Sequence, residues 1–130
     1  MIQVVVKPGK LQQSFVVSNH EGSIHPIRSM PLANLLMTEE GWLIRLAVPG
    51  LNKEAIQIKI EKNKLTVEGT YPEKTEGEKK VLRQEFGQGI LSRSFVLPEN
   101  AELGGIQAKC EAGILEIRIP KKEAVQIQVL

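Results

Sequence analysis

Beyond residue 31 apolar and polar positions alternate with a period of two, the pattern of strands that bury one face. Trp42, Ile44, Leu46 and Val48 alternate with Leu43, Arg45 and Ala47 until Pro49-Gly50 supplies turn chemistry and stops the strand. Ile56, Ile58 and Ile60 face away from Gln57, Lys59 and Glu61, and Lys62-Asn63 reads as a tight hairpin turn into Leu65-Thr66-Val67-Glu68, which Gly69 ends. Residues 72 to 80 are a charged loop containing Pro and Gly, followed by a short strand from Val81 to Phe86. Ile90 to Leu97 forms another strand, stopped by Pro98, and Asn100-Ala101-Glu102-Leu103 suits one capped helical turn before Gly104-Gly105. Ile106, Ala108 and Cys110 then alternate with Gln107 and Lys109, Ala112-Gly113 turns the chain, and Ile114 to Ile119 runs back to Pro120. Seven or eight short strands with turn signals between them predict an all-β antiparallel sandwich. Nothing has enough helical period for more than single turns.

The flanks are patterned differently. Residues 1 to 30 hold apolar clusters, Ile2 to Val6 and Phe15-Val16-Val17, among Gly, Ser, Asn and His with no sustained period. Two readings stand side by side: an arm of weak autonomous structure, or an edge strand at Val4 to Val6. Residues 123 to 130 alternate again at Val125-Gln126-Ile127-Gln128-Val129-Leu130, beyond the strand-breaking Pro120 and with no hairpin partner nearby. Such a segment is either one more strand of the sheet or a tail that docks on another subunit. The chain thus divides into an arm (1 to 30), a sandwich domain (31 to 122) and an extension (123 to 130).

Composition narrows the chemistry. With 130 residues there is room for one domain, and aromatics at 4% leave Val, Ile and Leu to build the core. The net charge of +2 comes entirely from Lys7, Lys10 and Arg28 against Glu21, so residues 31 to 130 are neutral, which argues against nucleic-acid binding. All fifteen acids are Glu, the two His residues lie in the arm, and the lone Cys110 occupies the apolar phase of its strand. No catalytic triad, phosphate cradle or metal-ligand spacing emerges, so neither a cofactor nor a metal is expected. Without an internal disulfide, a long apolar run or a leader pattern, a cytoplasmic protein with no membrane insertion is the default. Trp42 shares the phase of Ile44 and Leu46 and is read as core.

Several motifs, in their order, carry a resemblance. Ala47-Val48-Pro49-Gly50-Leu51-Asn52-Lys53-Glu54-Ala55-Ile56, Lys64-Leu65-Thr66-Val67-Glu68-Gly69, Arg83-Gln84-Glu85-Phe86, Arg93-Ser94-Phe95-Val96-Leu97-Pro98, and Ala108 five before Gly113 with Leu115 resemble the α-crystallin domain of small heat-shock proteins. Ile127-Gln128-Val129 is similar to that family's I-x-I/V anchor. The resemblance implies an immunoglobulin-like β-sandwich that dimerises, assembles further from dimers, and holds unfolding client proteins without ATP. It implies that Lys79 to Phe86 is a strand exchanged between partners, with Val81, Leu82, Arg83, Glu85, Phe86 and Arg93 at the dimer interface. Arg93 stands at the arginine of the G-x-F-x-R stretch, here Gly89-Ile90-Leu91-Ser92-Arg93 with Leu91 in place of Phe. The anchor residues Ile127 and Val129 would enter a neighbour's groove between Ile56, Ile58, Ile60 and Ile106, Ala108, Cys110.

In physical terms, an adaptable apolar arm including Val4, Val6, Phe15, Val16 and Val17 would cover client surface worth about 25 cal/mol per Å². Two rivals use the same sandwich: a monomeric co-chaperone-like adaptor, and an enzyme or small-ligand carrier, for which no residue signature exists.

Overall fold

Period-two alternation buries one face of each strand, and in the computed structural model two sheets stack their apolar faces over one core. Residues 4–7, 27–73, 77, 79–123 and 127–130 are described. The strands are β1 Val4–Lys7, β2 Arg28–Ser29, β3 Ala33–Met37, β4 Gly41–Ala47, β5 Ile56–Glu61, β6 Lys64–Thr70, β7 Ile90–Val96, β8 Gln107–Glu111 and β9 Ile114–Pro120. One sheet has the order β1-β5-β6-β7-β2 and the other β3-β4-β9-β8.

Hairpins set the register. β5 and β6 meet across the two-residue turn Lys62-Asn63, with Glu61 opposite Lys64 and Ile58 opposite Val67. β8 and β9 meet across Ala112-Gly113, where φ is 52° and 76°, the left-handed pair that matches strand twist in a type I′ hairpin. In the long β4/β9 pair Ile44 faces Ile117 and Leu46 faces Leu115, so both sheets send aliphatic side chains inward. Leu46, Ile58, Ile60, Leu65, Leu115 and Ile117 are completely buried, each worth about 1.5–3 kcal/mol of transfer from water. No described charged side chain is buried with them. Trp42 is only half-buried and packs at the margin of that core.

Three details differ from the sequence expectation. Nine strands are present among the described residues, and two of the pairings are parallel: β1 on β5 and β2 on β7. Both additions are short segments that join existing sheet edges, so local alternation has little to display. Gly89 makes one of them possible, since its φ is 73° and an added Cβ would lie 2.0 Å from the carbonyl oxygen of Ile27, the residue before β2. The helical turn is a 3-10 turn at Leu103–Gly105 with no side-chain cap. Finally, Val81 to Phe86 has no strand pairing and runs as bends. A strand needs a ladder partner, and no edge of its own sheets reaches this segment.

Candidate functional site

The residues that the sequence singles out fall on two edges of the sandwich and on the tail. At the first edge, Ile56, Ile58 and Ile60 alternate inward from β5 and are buried. Ile106, Ala108 and Cys110 pack half-buried against the same core from the other sheet, in which β8 is outermost. The six residues expected to form a groove therefore lie around one core cluster. The outer edge of β5, however, is occupied by β1, with Val4 beside Ile58 and Val6 beside Ile60. Of the two readings of Val4 to Val6, the edge strand is the one observed. Phe15, Val16 and Val17 lie outside the described residues.

The second edge belongs to β3, which pairs with β4 on one side and with no described strand on the other. Leu35 and Met37 are 65% and 81% exposed, and they line an apolar cleft of about 520 Å³ with Trp42 of β4 and Phe95 and Val96 of β7. Sequence reasoning missed this edge. Its signal is Leu35-Leu36-Met37, an apolar run without alternation, which marks a strand wanting cover on both faces.

The loop residues that the resemblance places at a dimer interface are exposed in the single chain. Leu82 is 90% exposed, and Val81 and Phe86 also face solvent. Arg83 and Glu85 pair with each other at 3.2 Å instead of meeting other charges; an ion pair so exposed contributes about 0–1 kcal/mol. Arg93 is engaged within its own chain: Nη1 donates to the Pro31 carbonyl at 2.9 Å and the guanidinium lies 5.5 Å from the Phe95 ring centroid. That bond fixes the chain just ahead of β3, so Arg93 positions the open edge.

The tail is bare. Ile127 and Val129 are 86% and 92% exposed, and residues 127–130 have no strand pairing. Elsewhere the chemistry is that of packing. Burial pushes the Cys110 thiol up from its ordinary range, which lowers its thiolate fraction and its reactivity. Burial likewise raises the Tyr71 phenol, whose hydroxyl donates to the Pro49 carbonyl and pins the turn after β4. Among the described residues no group of three or more His, Cys or Glu side chains is arranged to hold a metal ion. No described helix is long and apolar enough to cross a membrane.

Comparison with known proteins fits this geometry. The profile described as the Hsp20/alpha crystallin family matches residues 34–129. Small heat shock protein C2 of Rickettsia felis is 36% identical over 96 residues, which cover 72% of this chain and 62% of that protein. The 18.0 kDa class I heat shock protein of Daucus carota is 35% identical over 94 residues, 71% of this chain and 59% of that one. The matched segment thus spans less than two thirds of these relatives' own length. Among solved structures, a small heat-shock protein from Xylella fastidiosa superposes with a TM-score of 0.66 at 27% identity, over 77% of this chain and 93% of that one. The hspA of Xanthomonas axonopodis gives 0.66 at 28% identity, over 75% and 98%.

Proposed function

The chain belongs to the Hsp20/alpha crystallin family, and from that premise we propose that it is a cytoplasmic, ATP-independent holdase that works by contact, without bond chemistry, as a dimer-based homo-oligomer. The observation that carries this reading is the exposure of apolar side chains at the open β3 edge (Leu35, Met37), on the loop after β6 (Leu82, Phe86) and on the tail (Ile127, Val129). A monomer gains nothing from leaving such surface in water, whereas covering it reversibly yields about 25 cal/mol per Å².

In this reading the loop bearing Val81 to Phe86 crosses to a partner and becomes a strand on its open β3 edge, burying Leu82 and Phe86 over the cleft beside Trp42. Residues 1 to 30 act as arm, 31 to 122 as the pairing domain and 123 to 130 as the extension. Ile127 and Val129 point to one side of an extended segment and dock beside β5 and β8 of a neighbouring subunit. Each such contact is weak alone, and many in one assembly reinforce each other through effective concentration. Replacing Ile127→Gly and Val129→Gly is expected to reduce particles to dimers without loss of fold, as read by light scattering and circular dichroism.

The holdase activity itself is tested by turbidity. Several heated model clients, each mixed with an equimolar amount of the full chain and no nucleotide, are expected to stay in solution. Undiminished aggregation across all of them would refute the proposal.

A further inference from the structure

The two ends of the chain carry the same tripeptide: Ile2-Gln3-Val4 repeats Ile127-Gln128-Val129. Of the first copy only Val4 lies among the described residues. Val4 opens β1, which lies parallel on β5 with Val4, Val5, Val6 and Lys7 beside Ile58, Lys59, Ile60 and Glu61. β5 is therefore paired on both sides, by β6 and by β1. The C-terminal copy has no strand pairing.

We propose that β1 is a built-in competitor: it occupies in cis the β5 edge that the C-terminal Ile-Gln-Val of a second copy would take, so assembly through the tail requires β1 to leave. This competition rests on the anchor reading above and adds a gate to it. A strand edge offers one row of N–H and C=O groups, so two segments cannot both complete the ladder on it. The segment on that row, Val4-Val5-Val6, and the tail's Ile127-Gln128-Val129 both place β-branched residues two apart, so both suit the same row. A four-residue edge strand is drawn from the low-stability end of a fold, so β1 opens without disturbing the β4/β9 core. While β1 is seated, the apparent affinity for an incoming tail falls by the fraction of chains whose edge is free. By linkage, a seated tail holds β1 off the edge to the same degree, so tail docking and release of the N-terminal segment are one equilibrium.

A labelled peptide of residues 121–130 provides the probe, with binding read by fluorescence anisotropy. The receptors are full-length chains carrying Ile127→Gly and Val129→Gly, which silences their own tails. One is otherwise unchanged, and one lacks residues 1–7. A third carries Val5→Cys and Lys59→Cys, partners in the β1/β5 register, with the native Cys110 kept. We expect the chain without residues 1–7 to bind the peptide at least roughly tenfold tighter than the unchanged receptor, as removal of a competing minor-state requirement predicts. The cysteine pair should block binding when oxidised and restore it on reduction, and the reduced form serves as its own folding control. A peptide carrying Ile127→Gly and Val129→Gly should bind none of them. Equal affinity for all receptors, oxidised and reduced, would overturn the competition while leaving the anchor standing. Failure of every receptor to bind would overturn the anchor reading and this inference with it.

Discussion

At β5 the chain covers its own strand edge with β1, whereas at β3 it leaves an edge open with Leu35 and Met37 facing solvent. The two edges have comparable aliphatic character, since β5 contributes Ile56, Ile58 and Ile60. They differ in which way those side chains point. On β5 the apolar residues alternate strictly and all turn into the core, so what the edge offers is backbone. On β3 consecutive apolar residues send side chains to both faces, so the edge offers backbone and apolar area together. An open apolar edge is an aggregation hazard unless another chain is meant to cover it. The covered edge suits a reversible, competitive contact and the open one a firm contact, which is why we assign the dimer to β3 and the weaker assembly contact to β5.

The largest expected effect marks what both edges share. Ile117 of β9 is fully buried in the core between the two sheets, and Ile117→Ala should lower unfolding free energy by about 2–5 kcal/mol in urea titrations, weakening both contacts at once. Substitution at the open edge should separate folding from assembly. Leu35→Glu with Met37→Glu should weaken dimerisation at least roughly a hundredfold, near 2.7 kcal/mol, while leaving the melting of the isolated subunit within about 0.5 kcal/mol, because both side chains are already in water there. Equal losses in folding and association would remove the distinction between the edges.

The smallest effect concerns the core alone. Burial raises the Tyr71 phenol above its ordinary value of 10.0, so its contribution is fully present below that pH and is lost as pH rises through the higher folded value. Tyr71→Phe should flatten this alkaline loss and cost about 1 kcal/mol at neutral pH through the missing bond to Pro49. Alkaline urea titrations of the two forms check both parts.

Where strand and buried face are set by local alternation, the sequence was enough. Ile56, Ile58 and Ile60 are buried as their spacing requires, and Lys62-Asn63 and Ala112-Gly113 turn where expected. The resemblance supplied what alternation lacks, the expectation that the tail and the loop are contact segments. Three features escaped for physical reasons. β1 is a uniform run of valines whose parallel partner lies more than fifty residues away, so local pattern left both readings open. Arg93 reaches the Pro31 carbonyl across 62 residues of sequence, a contact that only the folded sheets create. Val81 to Phe86 reads as a strand because it is composed as one, yet in a single chain it has no ladder to join. In the dimer we propose, the uncovered β3 edge of a second copy supplies that ladder.

Native mass of the full-length chain, followed by native mass spectrometry and light scattering from tens of micromolar downward, tests that complementarity most directly. Our account predicts even-numbered assemblies that shed subunits in pairs, with the dimer as the last species to dissociate. A monomer at every concentration, with Leu35 and Met37 permanently in water, would contradict it.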